Sequence, residues 1–465
     1  MAHFDLLIVG TGSGNSVLTA EHEHWEVGIV ERDVFGGTCL NRGCIPSKML
    51  VVPANRVVEA AEAEALGVAF GEPQVDWPGI RDRIFGRIDP IAGGGEQYRE
   101  GQEHVTVLRG EARMVDPRTV SVLDAGGNRS EHTADRIVLA AGARPWIPDI
   151  EGLAVTPFHT SDTIMRIEEV PEHLMILGGG FIAAELGHVF AALGSKVSVI
   201  HRGARLLRHL DVDLSTHFTR EFARRAYLHL RTEVTRVDHV DGEFTLTLDS
   251  DHPGHSPAVE RLTGDALLVT TGRIPNGAAM DVEAAGVHLD AGGYVRTDDT
   301  LSTGVEGIWA LGDIRNPAQL KHLANQEARV VSHNLVHPDD PVSIDQRVVP
   351  HAVFSHPEVA SVGAREVDLE AQRVAYRVGT CGYGDVAYGW ALEDTGGFAK
   401  VLVSEDSGEV LGAHVLGYAA ATLVQQVAQA MQFRIPAERL AREQVWCHPA
   451  LPELLENALL DAVGT

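Results

Sequence analysis

The chain twice passes from a short apolar run into a glycine-rich turn and then into a helical pattern, first as LLIVGTGSGN and again as LMILGGGFIAAE. Each run of five or six apolar residues suits a strand buried on both faces, which is how strands of parallel sheets read. Two such starts imply two βαβ units and therefore two nucleotide sites in one α/β chain. A length of 465 residues leaves room for about three domains with separate cores.

Both units fit a Rossmann-like dinucleotide-binding domain. The segment ADRIVLAAGARPWIPDIEG ends rich in Gly and Pro, and DALLVTTGRIPN matches it as a return. These mark a first domain over 1–151, interrupted by a second over 152–277 and resumed over 278–347. From 348 to 465, the runs VVPHAVFS, FAKVLVS and EVLGAHVLG precede the helical ATLVQQVAQAMQ, the pattern of an α+β domain with no nucleotide signature.

In the first fingerprint Gly10, Gly12 and Gly14 follow the strand FDLLIVG, where missing side chains let backbone N–H groups approach a pyrophosphate. Glu31 closes the next strand, VGIVE, and is placed to accept hydrogen bonds from an adenosine ribose. Asn15 stands where a third glycine would allow close packing, so the following helix is expected to sit farther out or to tilt. The second fingerprint has Gly178, Gly180 and Ala183, and its next strand runs into HRGARLLRH. An NAD site calls for a carboxylate there, whereas Arg202 and Arg208, with Arg205 as a possible substitute, suit the 2′-phosphate of NADPH. A solvated basic turn is the alternative.

Four cysteines in 465 residues are too few for a secreted disulfide framework, and Cys39 and Cys44 form the one close pair. Residues five apart in a regular helix have Cα atoms more than about 7 Å from each other, so a bond between these sulfurs requires broken geometry. Gly43 and Pro46 can supply the break, and strain would make such a bond easy to reduce. Zinc needs more ligands than this pair offers, and no second closely spaced Cys/His pair accompanies it.

With 38 Lys+Arg against 65 Asp+Glu, the formal charge of −27 repels polyanions, so nucleic acid is not an expected partner. No apolar stretch reaches the roughly 18 residues of a membrane span, and the chain opens without a basic leader. A cytoplasmic protein is expected.

GGTCLNRGCIPSK resembles the active-site segment of the pyridine nucleotide–disulfide oxidoreductases, and the likeness runs along essentially the whole chain. The resemblance implies FAD in the first domain, with Cys39 exchanging with a substrate disulfide and Cys44 lying against the flavin. It implies that Lys48 sits beside the flavin and pairs with Glu185, and that Asp313, in GVEGIWALGD, contacts the ribitol. Gly37, Thr38, Ala112, Gly142 and Gly272 are expected to line the cofactor sites. The helix beginning near His322 can aim its N-terminal dipole at the flavin pyrimidine. In CHPALPELLENALL, His448 and Glu453 match the family's acid–base pair, which reaches the redox cysteines of the other subunit of a homodimer. The third domain is then the dimerisation domain.

FGRIDPI, YGDVAYGWALEDT and HPALPELLENALL resemble members that reduce the disulfide of an inositol-containing low-molecular-weight thiol. Tyr388, Trp390, Glu393 and Asp394 can supply polar and aromatic contacts to a sugar, or can form a polar interface loop. The lipoamide dehydrogenases share CIPSK but call for the carboxylate missing after the second fingerprint. A non-catalytic flavoprotein subunit would be expected to lack some of Cys39, Cys44, His448 and Glu453. Arg42 is unusual at a normally apolar position, and Cys447 receives no catalytic role.

Overall fold

The computed structural model describes residues 1–250 and 260–464, which form two compact units. The first unit comprises Met1–Pro46, Arg81–Trp146 and Gly272–Asp345. The second comprises Ser47–Ile80, Ile147–Thr271 and Gln346–Thr465, apart from the undescribed residues.

The first unit is built on a sheet whose strands run, from one edge, Val105–Arg109, Val27–Glu31, His3–Val9, Arg129–Leu139, Thr119–Leu123 and Glu111–Asp116. Ile308–Ala310 pairs in parallel with Arg129–Leu139. The pairs around His3–Val9 are also parallel, so Leu6, Leu7 and Ile8 are buried on both faces. The turn after His3–Val9 and the end of Val27–Glu31 meet at one edge of this sheet, where a doubly wound fold binds its ligand.

The first fingerprint does not lead into an α-helix, contrary to the expectation of a displaced or tilted one. Gly14–Val17 is a single 3₁₀ turn, Leu18 is extended, and Ala20–His22 is a second 3₁₀ turn. Arg99 fixes this turn, its guanidinium donating to the Asn15 carbonyl at 2.9 Å and to its side-chain oxygen at 2.7 Å. In a continuing helix the Thr19 N–H would donate to that carbonyl as well. The Thr19 amide bonds to the His22 ring instead, at 3.3 Å.

In the second unit the strands Tyr227–Leu230, Lys196–His201, His173–Leu177 and Ala266–Val269 make a parallel sheet in that order. Here the fingerprint does open a full α-helix, Phe181–Ala192. The C-terminal part is an antiparallel sheet ordered His351–Val353, Val359–Gly363, Val410–Leu416, Phe398–Ser404, Tyr376–Gly382. The helices Ala420–Gln432 and Glu453–Val463 contribute Val424, Val427, Leu454 and Leu459 to the core beneath it. Full burial of each such side chain is worth about 1.5–3 kcal/mol. Among the described residues no helix is long and apolar enough to cross a membrane.

Candidate active site

The glycines of the first loop are required by backbone conformation and by contact. Gly10 has φ of 103°, and a Cβ on it would stand 2.5 Å from the Ala140 carbonyl oxygen. Gly37 has φ of 67°, and a Cβ there would lie 2.7 Å from the Gly12 Cα. Two bare stretches of backbone thus pass against each other, forming the kind of cradle that admits a pyrophosphate. Gly14 supplies the close approach expected one position later: its Cβ would lie 2.7 Å from that of Ala140. Glu31 is buried, and its carboxylate accepts from the Thr11 N–H at 3.0 Å, the Thr11 hydroxyl at 2.5 Å and the Asp33 N–H at 2.9 Å. These bonds hold it in one orientation and leave lone pairs for ribose hydroxyls.

Cys39 lies in the helix Gly37–Arg42, and Cys44 opens the next helix, Cys44–Glu62. Between them Gly43 breaks the ladder with φ −138° and ψ −120°. The expected irregularity is present, and it falls on the glycine. Cys39 is half-buried and Cys44 exposed. A hydrogen bond to Cys44, reinforced by burial, pushes the Cys39 thiol up, while the Lys321 ammonium acts in the opposite direction. Arg42 binds Asp33 at 2.5 Å. Burial pushes the Asp33 carboxyl up, but that bond outweighs it and holds the group below the usual range.

Asp313 sits in the turn Gly312–Ile314, directly after the strand Ile308–Ala310, and burial raises its carboxyl against the pull of Arg273. The turn is fixed by Glu327, a fully buried carboxylate that was not foreseen. It accepts from the Gly312 N–H at 2.5 Å, Arg315 at 2.6 Å and the Asn316 amide at 2.8 Å. A helical-period reading would have found it, since Leu323, Ala324, Glu327, Ala328 and Val331 share the buried face of Lys321–Val336. His322 is exposed at the start of that helix. Its neighbour Lys321 makes the polar contact to the glycine loop, donating to the Ser13 hydroxyl at 2.9 Å.

In the second unit Gly178 has φ of 130°, and a Cβ there would stand 2.5 Å from the Thr270 carbonyl oxygen. Gly180 precedes the helix, and Ala183 is buried within it. At the end of Lys196–His201 the ring of His201 occupies the carboxylate position, packed where a Cβ on Gly179 or Gly203 would collide with it. Burial lowers the His201 imidazolium, and the charges of Arg208 and Arg202 lower it further, which puts both arginines around it. Arg202 and Arg208 are exposed. Arg205 Nε and His201 Nε2 are buried without a hydrogen-bond partner among the described residues, so this corner has donor capacity to spare.

Lys48 Nζ stands 2.7 Å and 2.6 Å from the two oxygens of Glu185, and the Phe354 N–H donates to the same carboxylate at 3.0 Å. Glu185 is buried, and the Lys48 ammonium lies over the Phe354 ring at 4.8 Å. His448 Nδ1 is 2.6 Å from Glu453 Oε1. The imidazole side chain is 70 % exposed while its carboxylate partner is 15 % exposed, so the rest of the ring projects outward. The bond to His448 holds the Glu453 carboxyl below its usual range.

Ala112 turns its methyl into the core, leaving only its backbone for a ligand, and Thr38 is half-buried beside Cys39. Gly142 and Gly272, with φ of 65° and 135°, each face open space. Tyr388 and Trp390 are exposed, but the Trp390 N–H donates to the Gly384 carbonyl at 2.6 Å. Asp394 accepts from the N–H groups of Gly396 and Gly397, which ties it to its own loop.

The model of the pyridine nucleotide-disulphide oxidoreductases matches residues 4–328, and the model of their dimerisation domain matches 349–459. The chain belongs to this family. It is 43% identical to mycothione reductase of Mycobacterium tuberculosis, with 99% of each protein covered. It is 32% identical to dihydrolipoyl dehydrogenase of Haloferax volcanii, over 99% of this chain and 96% of that one. Among solved structures it resembles the HOCl-induced flavoprotein disulfide reductase RclA of Escherichia coli, with a TM-score of 0.83, 26% identity, and 98% and 99% of the two chains covered. The family couples FAD and a nicotinamide nucleotide to disulfide chemistry. The α/β architecture with two nucleotide-binding folds and a C-terminal dimerisation domain is therefore as expected.

Proposed function

We propose that this chain is a reductase of mycothione, taking electrons from NADPH and acting as a homodimer whose active sites each use both subunits. The reading is carried by a dithiol on a broken helix in a chain 43% identical, end to end, to mycothione reductase. The nucleotide preference is supported by His201, Arg202, Arg205 and Arg208 standing where an NAD site would want a carboxylate. We assign FAD binding to 1–151 and 278–347, NADPH binding to 152–277, and the subunit contact to 348–465.

When bound, the flavin relays a hydride equivalent from the nicotinamide to the sulfur pair. Gly10, Gly12, Gly14, Gly37, Thr38 and Glu31 would hold the FAD diphosphate and adenosine ribose, Asp313 and the start of Lys321–Val336 would serve the flavin end, and Lys48, oriented by Glu185, would act beside its ring. Gly178, Gly180, Ala183 and the basic cluster hold NADPH. The Cys39 thiolate attacks one sulfur of the substrate disulfide, forming a mixed disulfide and expelling a thiolate that His448 of the partner subunit protonates. Cys44 then attacks the Cys39 sulfur, expelling the second thiol and closing the Cys39–Cys44 bond. Glu453 keeps the imidazole oriented through its bond to Nδ1.

The test is steady-state turnover of purified protein with mycothione, glutathione disulfide and lipoamide, each with NADPH and NADH. Highest kcat/KM for mycothione with NADPH is expected, and Arg202→Ala with Arg208→Ala should erase the preference for NADPH. Preference for lipoamide, or equal use of both nucleotides by the unaltered protein, overturns the reading.

A further inference from the structure

We propose that Lys321 sets the charge of the redox centre, its ammonium being tethered to the glycine loop through Ser13 so as to favour negative charge on the Cys39–Cys44 dithiol. The inference rests on the disulfide reductase reading and adds a residue to that site.

Lys321 is the first residue of its helix, where the positive end of the helix dipole disfavours a cation. The first turn holds no acidic residue, and Leu320 at the cap offers no side-chain acceptor.

The geometry shows what keeps it there. Nζ donates to the Ser13 hydroxyl at 2.9 Å, and that hydroxyl donates onward to the Asn325 side-chain oxygen at 3.1 Å. Asn325 lies one turn along the same helix, so the ammonium is held between the helix and the glycine loop by neutral partners. Among the described residues no carboxylate stands within ion-pair distance of it. Its charge is left to act on its surroundings, and it acts on two groups of the site, favouring the charged forms of Cys39 and Asp313.

The consequence is chemical. The hydrogen bond between the sulfurs and the burial of Cys39 both oppose thiolate formation. The Ser13 tether holds this cation on the loop whose Gly12 passes against Gly37, two residues before Cys39, and its charge opposes both effects before any group from a second subunit contributes. Thiolate is the species that attacks a disulfide, so Lys321 should govern how much of the reduced enzyme is armed at a given pH.

The experiment is the pH dependence of iodoacetamide labelling of the NADPH-reduced holoenzyme, read by mass spectrometry on the peptide that carries Cys39 and Cys44, so that Cys381 and Cys447 do not contribute. Lys321→Met is expected to move the labelling midpoint up by about one pH unit, a tenfold loss of thiolate at fixed pH, and Lys321→Arg to restore most of it. Ser13→Ala keeps the charge but frees it, and should give a smaller shift in the same direction. An unmoved midpoint in Lys321→Met with normal FAD content overturns the proposal. If that variant loses FAD, an unmoved midpoint in Ser13→Ala does so. Labelling requires no disulfide substrate, so a protein that turns over none of the three disulfides but shows the Lys321→Met shift would sink the functional reading alone.

Discussion

Lys48 and Glu185, 137 residues apart in sequence, meet with both carboxylate oxygens within 2.7 Å of the ammonium. Glu185 is fixed from the other side by the backbone N–H of Phe354, so the carboxylate belongs to a framework and not to a mobile surface pair. Lys48 follows Cys44 by four residues in one helix, so whatever orients its ammonium also bears on the segment that Cys44 opens.

Replacing Glu185 with Gln should therefore slow reduction of the bound flavin by NADPH by about 10- to 100-fold, as expected when a preorganised charge loses its orientation. Lys48 is one-third exposed, so the stability loss should be modest, roughly 1–2 kcal/mol. Stopped-flow absorbance of the flavin checks the first figure and urea unfolding the second. A normal reduction rate would remove Lys48 from the chemistry.

Arg99→Met should destabilise the first glycine loop, because it releases the Asn15 carbonyl and side chain together. Loss of charged hydrogen bonds at a buried site corresponds to roughly 3 kcal/mol. Purified variant should melt lower and retain less FAD. Full FAD occupancy after gel filtration at dilute concentration would contradict this.

His448→Gln should lower kcat by about 100-fold or more, the range for removal of a general acid. Flavin reduction in the absence of disulfide should proceed as before. Glu453→Ala, which removes the carboxylate that orients the imidazole, should have a smaller effect of the same kind. Equal loss in both half-reactions would mean a folding defect instead.

His414 predicts a pH dependence of stability. Its ring is buried and neutral, with Ser361 on Nδ1 at 3.0 Å and the Ala364 carbonyl on Nε2 at 3.1 Å. Burial lowers it from 6.5 to about 4, with Lys400 and His351 acting in the same direction and Asp211 against. Between those values the unfolded chain binds a proton that the folded one does not. Stability is therefore complete above pH 6.5 and falls as pH drops towards 4, by about 3 kcal/mol. Urea midpoints at pH 7 and 4.5 measure the slope, and His414→Gln should flatten it. An identical slope in the variant would place the pH sensitivity elsewhere.

Local pattern was enough to reveal the two fingerprints, the Cys39–Cys44 pair and the His448–Glu453 neighbours, because each depends on residue types at short spacing. The strand–glycine–strand order also implied the α/β class, since apolar runs of that length with bare turns have few other uses. The same pattern misled after Gly14, where a 3₁₀ turn stands in place of the helix and Arg99, 84 residues away, holds its Asn15 carbonyl. The role of Lys321 and the orphaned atoms of His201 and Arg205 were invisible because a charged residue's meaning lies in what surrounds it. Residue order by itself determined which elements form and which chemistry the chain carries. Tertiary structure alone decided which charges are buried, paired or left to act, because desolvation and Coulomb forces depend on distances that only packing sets.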